Sequence, residues 1–210
     1  MYLPSAFRQD DIGVLHDEID KARLATVVSN GASGLQASHL PLLLVREDGQ
    51  YGTLYGHLAR ANPHWRDWQD DNQALAMFNT ADAYISPAWY PAKAEHGKVV
   101  PTWNYISVHV RGSIELFDEP QRLLQLVSRL SDKHEAGRPQ PWAVADAPAD
   151  YIDKMLFAIV GFALPIEHLE GKYKLGQNRN TADQQGVHAG LQSSTDLRDQ
   201  LLAGRMPQTN

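Results

Sequence analysis

The chain has 210 residues, 43% of them hydrophobic and 21% charged, with a formal net charge of −6. This is an ordinary globular composition able to bury a sizeable core, and its acidic balance disfavours binding DNA across a whole basic face. With no cysteine in the chain, disulfides, thiolate catalysis, iron–sulfur clusters and zinc–cysteine centres are excluded, and a reducing, cytoplasmic setting is expected.

Residues 1–10 lack a basic start followed by an apolar core, so no signal peptide is expected. No run approaches the ~18 apolar residues of a membrane span, so no membrane partner is expected. Residues 10–23 read as a helix, because Ile12, Leu15, Ile19 and Ala22 fall at helical spacing. Residues 24–29 are β-branched and apolar and predict a strand. A turn cluster at 30–34 follows, then a second strand over 35–45 interrupted by Pro41. A proline there removes a ladder donor and points to an edge, a bulge or a place where a ligand replaces the missing partner. Residues 46–50 predict a hairpin turn around Asp48-Gly49, and 51–58 a third strand.

Asn62 and Pro63 form a helix-start signal. The Asn62 side-chain oxygen can accept from an unpaired backbone N–H, and Pro63 suits the first helical position. Residues 74–78 and 83–86 read as two strands around 79–82, and 93–98 as a loop. The alternation in Val108, Val110, Gly112, Ile114 and Leu116 predicts a long strand over 99–117. Residues 119–135 predict an amphipathic helix. Three prolines make 137–149 a loop, 150–157 a short helix, and 158–169 a strand broken at Pro165. Residues 170–179 are polar and basic. Short helices are expected at 183–191 and 195–202, with residues 206–210 frayed. Six or more strand signals, often neighbours in sequence, indicate an α+β protein with a mainly antiparallel barrel or sheet and helices at its edges.

Five segments can carry chemistry. His57, Arg60 and Asn62 flank the helix start after the third strand, where free N–H groups and a guanidinium fork suit a phosphate; an ordinary capped helix with a surface arginine is the plainer reading. Ser38 and His39 are polar in an apolar run beside Pro41, and such conflicts mark functional sites; a satisfied buried histidine is the alternative. Residues 84–90 and 100–105 are aromatic and broken by proline, offering flat walls with polar handles or rigid packing corners. Residues 169–179 hold Lys172, Lys174 and Arg179, which suit phosphate, nucleic acid or simply solvent. The nine histidines show no metal-ligand spacing, so no metal is expected. Rossmann and P-loop glycine patterns do not occur.

Taken in order, Met1-Tyr2-x-Pro4, Ala37-x-His39-Leu40-Pro41, Gly56-His57-Leu58-Ala59-Arg60-Ala61-Asn62-Pro63, Tyr84-Ile85-Ser86-Pro87-x-Trp89-Tyr90 and Val100-Pro101-Thr102-Trp103-Asn104-Tyr105 resemble the PaiB-type FMN-binding proteins, called negative transcriptional regulators. Val108-His109, Ile159-Val160-Gly161-Phe162, Leu169-Glu170-Gly171-Lys172 and Lys174-Leu175-x-Gln177-Asn178-Arg179 continue the likeness. The resemblance implies an FMN-binding split β-barrel with peripheral helices over residues 1–190, a helical tail at 191–210, and a homodimer with FMN near the subunit interface. It implies a phosphate held by Arg60 and the Asn62 helix start, with His57 in the same segment. It further implies an isoalloxazine beside His39, Leu40 and Pro41; contributions from Trp103, Asn104 and Tyr105 of a neighbouring strand or the partner chain; and closure by Lys174, Gln177 and Arg179. Gly176 departs from the serine expected in that last run, which removes a hydroxyl there.

Three functions follow. The resemblance implies a flavin-binding negative regulator of transcription, for example of protease or sporulation genes. Direct DNA contact lacks support, since the chain is acidic and shows no helix-turn-helix with a basic recognition helix. The second is an FMN-dependent oxidoreductase using a reduced nicotinamide cofactor, with His39 or Tyr105 as proton donor. The third is an aromatic-rich barrel without cofactor.

Overall fold

The computed structural model describes residues 1–32 and 34–207, over which the chain forms ten strands and seven α-helices with antiparallel strand pairing. In chain order these are β1 (Arg8–Gln9), α1 (Ile12–Lys21), β2 (Ala25–Gly31), β3 (Gly34–Leu40), β4 (Leu43–Val45), β5 (Thr53–Ala59), α2 (His64–Asp70), β6 (Gln73–Ile85), α3 (Ala92–His96), β7 (Thr102–Ser113), β8 (Glu115–Phe117), α4 (Pro120–Glu135), α5 (Ala149–Phe157), β9 (Ile159–Pro165), β10 (His168–Lys174), α6 (Thr181–Gln192) and α7 (Leu197–Ala203). Two compact units form: the first comprises Met1–Glu18, Asn79–Val108 and Glu170–Asn210, the second Ile19–Phe78 and His109–Leu169.

In the second unit, β2 pairs with β3 and with β6, and a separate sheet runs β4-β5-β9-β8. Pro41 falls where the chain leaves β3, an edge strand, for β4, an edge of the other sheet. The expected single strand over 35–45 is therefore two strands, and the proline marks the switch, because it cannot donate to a ladder. The Asp48-Gly49 turn forms and brings Val45 opposite Thr53. Leu54, Leu58, Trp68, Phe78 and Phe162 are buried. A second cluster, Leu43, Phe117, Leu123, Leu126, Leu130 and Leu156, buries the apolar stripe of α4. Gly56 is required by packing: a Cβ there would lie 2.6 Å from Leu42 Cδ2 and 2.7 Å from Phe162 Cζ.

In the first unit, β1 pairs with β10, and the strand order runs β1-β10-β7-β6. Its core gathers Ile85, Ile106, Leu175, Val187, Leu191, Leu202 and Met206. Several expectations change here. The two strands expected around 79–82 are one continuous β6, in which the polar Asn79-Thr80-Ala81-Asp82 stays extended although Asn and Asp also suit turns. The loop expected at 93–98 contains α3, ended by Gly97. Much of the basic stretch at 170–179 is β10. Its alternation was masked by lysines whose ammonium ends reach past their apolar stems. Met206, expected to fray, is buried in the core; residues 208–210 lie outside the described residues, as does Ser33 of the expected turn.

Candidate functional site

In the second unit, β3 alternates its faces so that Ser38 points inward and His39 outward. Ser38 Oγ lies 2.8 Å from His64 Nδ1, and Ser29 Oγ lies 2.8 Å from His64 Nε2. Trp68 Nε1 donates to Ser29 Oγ at 2.8 Å, and Asn62 Nδ2 to Ser38 Oγ at 3.3 Å. A neutral imidazole has one donor and one acceptor. One serine therefore donates to His64 and the other accepts. Burial pushes the His64 pKa down, with Asp67 opposing. No spacing pattern in the sequence marks His64 for this relay; the Ser38-His39 polarity conflict is its trace, and the buried member is the serine. His39 is exposed, with Nδ1 3.1 Å from Thr26 Oγ1, which replaces the satisfied buried histidine considered above.

Asn62 caps α2 as its residue type requires, Oδ1 accepting from His64 N at 3.0 Å. The cap and the Ser38 contact use both ends of the amide. Arg60 donates from Nε to Phe157 O at 2.9 Å and from Nη2 to Ile159 O at 3.0 Å. Its guanidinium also stands 5.6 Å from the centre of the Phe157 ring. Nη1 is the arm that neither carbonyl uses. Leu40 is half-buried, opposite Ala25 in the β2–β3 ladder.

Pro41 and His57 share a cleft of about 380 Å³ with Leu130, His134, Glu135 and Trp142. His57 Nδ1 is buried without a hydrogen-bond partner among the described residues, and burial pushes its pKa down. Both His57 and His64 are thus held neutral. Unfolded, each has a pKa near 6.5, so below that pH the unfolded state binds more protons. Stability is expected to be flat above pH 6.5 and to fall as pH drops below it, by up to about 1.4 kcal/mol per pH unit for each histidine until its folded pKa is passed. Urea titrations between pH 7.5 and 5 test this; stability rising on acidification would contradict the neutral assignment.

In the first unit, Lys174 Nζ bonds Thr102 Oγ1 at 2.6 Å and donates to Trp103 O. Its pKa is lowered by burial first, then by Lys172 and Arg179. Lys172 Nζ stands 5.3 Å from the Tyr105 ring centre, and the Arg179 guanidinium 5.0 Å from that of Tyr90. None of these three cations pairs with a carboxylate among the described residues. Gln177 closes its own turn, Oε1 accepting from Leu175 N at 2.8 Å and Nε2 donating to Tyr173 O at 2.6 Å. Gly176 sits in that turn with φ +85°, a conformation glycine adopts without penalty. Trp103 is 54% exposed and meets Tyr84 edge-on at 6.0 Å. With Tyr105, Asn79, Asp82, Arg198 and Leu201 it lines a cleft of about 450 Å³. The twelve expected site residues therefore fall six in each unit, and each unit presents part of the chemistry: a histidine-rich strand end in one, cations with an aromatic wall in the other.

The family model described as "Putative FMN-binding domain" matches residues 1–168. The protease synthase and sporulation protein PAI 2 of Bacillus subtilis is 31% identical over 206 residues, covering 98% of this chain and 96% of that protein. Among solved structures, the FAD and heme binding protein from Mycobacterium smegmatis superposes with a TM-score of 0.62 at 20% identity, over 87% of this chain and 80% of its own. A conserved hypothetical protein from Mycobacterium tuberculosis gives 0.60 at 12% identity, over 86% and 94%. At these identities the two structures share a fold with this chain.

Proposed function

The chain belongs to the FMN-binding domain family, and from that membership we propose that it is a homodimeric split-barrel flavoprotein of the cytoplasm acting in the negative control of transcription. FMN is its cofactor. When bound, FMN supplies hydride and electron chemistry at its ring. The protein's residues fit such a ligand: cations without carboxylate partners suit a phosphoryl tail, and exposed Trp103 beside Tyr105 suits a flat ring. That juxtaposition is the observation that carries the reading. The twelve expected residues remain the proposed flavin contacts, with Arg60 offering Nη1. Two cationic positions thus compete for the phosphoryl tail.

Closure of the strands into a barrel over residues 1–190, with 191–210 as its tail, is part of this reading. The homodimer is supported by the outer face of β3, β2 and β6 in the second unit. Leu35 there is 79% exposed. Ala37 is exposed too, while Val28, Leu75 and Met77 are half-buried on adjoining strands. A second copy of the chain would remove this apolar surface from water. The acidic charge favours regulation through a protein partner over direct DNA contact. No helix among the described residues is long and apolar enough to cross a membrane.

Flavin-loaded protein is expected to absorb near ~450 nm, as the cofactor carries its own chromophore, and to leave its own upstream DNA unshifted in a low-salt gel. Failure to retain added FMN would remove the proposal. The 450 Å³ cleft favours a second reading, an oxidoreductase using a reduced nicotinamide, because it leaves room for another planar ligand at Tyr105; His39 and Tyr105 are then the proton donors. Sustained NADH or NADPH oxidation by the loaded protein would select that reading, and an oxidised flavin stable to excess reductant would select regulation.

A further inference from the structure

A cleft of about 220 Å³ lies between the β4–β5 hairpin and α4, within the second unit. None of the twelve proposed flavin contacts lines it. Its floor is apolar: Leu43 and Leu126 are buried and Val45 is half-buried. Its rim carries charge of both signs. At the hairpin, Asp48 is fixed through its backbone, its N donating to Val45 O at 3.3 Å and its O accepting from Thr53 Oγ1 at 2.7 Å. The Asp48 carboxylate accepts from the Tyr55 hydroxyl. Burial and this same carboxylate raise the Tyr55 pKa, so the phenol keeps its proton for that bond. An ionised carboxylate can accept about four hydrogen bonds, and no cation among the described residues pairs with this one.

On α4, Arg122 is committed. Its Nη1 donates to Glu115 Oε1 at 2.5 Å, and its guanidinium stands 3.9 Å from the centre of the Phe117 ring. Arg129 lies about two turns further along the same helix. It has no partner among the described residues, and neither has Gln125 between them. A single unpaired charge is ordinary at a surface, where an ion pair gains little. Here one free anion and one free cation share a cleft with an apolar floor. That set is complementary to a zwitterion with an apolar body. The volume falls below the ~300–1,000 Å³ of pockets for drug-sized ligands, so the occupant is smaller than a nucleotide.

We propose that this cleft binds a free apolar α-amino acid, with its ammonium on Asp48, its carboxylate on Arg129 beside the Gln125 amide, and its side chain on the Leu43, Val45 and Leu126 floor. The site goes beyond the flavin reading and does not rest on it. In a protein acting in transcriptional control, it supplies a small-molecule input.

Isothermal titration of the full chain with L-leucine, L-methionine and L-phenylalanine tests the proposal, with flavin-free and flavin-loaded protein in parallel. At least one is expected to bind with a dissociation constant on the order of 1 mM or tighter, the range open to so small a ligand. Leucinamide lacks the carboxylate, N-acetyl-leucine the ammonium and glycine the side chain; each is expected to bind at least about 10-fold more weakly than L-leucine. Asp48→Asn keeps a residue suited to the turn, and Arg129→Gln changes an exposed position. Both variants should melt like wild type without ligand and lose about 10-fold or more in amino-acid affinity, the lower end for a charged hydrogen bond. No binding of any of the three amino acids up to about 10 mM overturns the proposal. Unchanged affinity in both variants, or leucinamide, N-acetyl-leucine or glycine binding as tightly as L-leucine, overturns it too. Amino-acid binding by a protein that takes up no FMN would leave this site standing while the flavin reading falls; FMN uptake without amino-acid binding would do the reverse.

Discussion

Phe162→Ala is expected to lower the unfolding free energy by about 3–5 kcal/mol, the cost of emptying a fully buried aromatic site. Phe162 is 0% exposed. It lies opposite Gly56 in the β5–β9 ladder and meets the Trp68 ring edge-on at 5.1 Å. The site cannot collapse easily, because its neighbours are strand backbone and an indole pinned through Ser29. Urea denaturation with far-UV detection measures the change. A loss below about 1 kcal/mol would mean that the core relaxes into the space, against the rigidity expected of close packing. Gly56→Ala attacks the same contact from the other side by overfilling it, a perturbation worth about 1–3 kcal/mol.

His64→Ala should cost about 3 kcal/mol. Part is the vacated ring volume. The rest comes from stranding Ser29 Oγ and Ser38 Oγ, each a buried hydroxyl that loses a partner at 2.8 Å. The variant has a second signature. Because a neutral, buried histidine is removed, the fall in stability below pH 6.5 should become shallower, leaving the share of His57. If His64→Ala is silent in both midpoint and pH slope, the relay is not a closed network and water reaches it.

The family motif around Arg60 shows how far a sequence reading reaches. Asn62 caps and Pro63 leads the helix, as local chemistry requires, since capping depends on residues one or two apart. The use made of Arg60 is not local. Its carbonyl partners lie at Phe157 and Ile159, about a hundred residues on, where no spacing rule points. Likewise the Ser38-His39 conflict was visible, but strand parity alone decided that the serine turns in to His64. At Gly176 the departure from the expected serine was legible as a lost hydroxyl. That the position has φ +85° was not.

Most of the helices and strands, the capped turn after β5, the sheet break at Pro41 and family membership were determined by the chain's own order of residues, because periodicity, capping and proline geometry act over a few positions. Which face of β3 is buried and what Arg60 grips were decided only by the tertiary structure. Those outcomes depend on groups distant in sequence competing for the same hydrogen bonds and the same space, a contest settled when the strands register and the core fills.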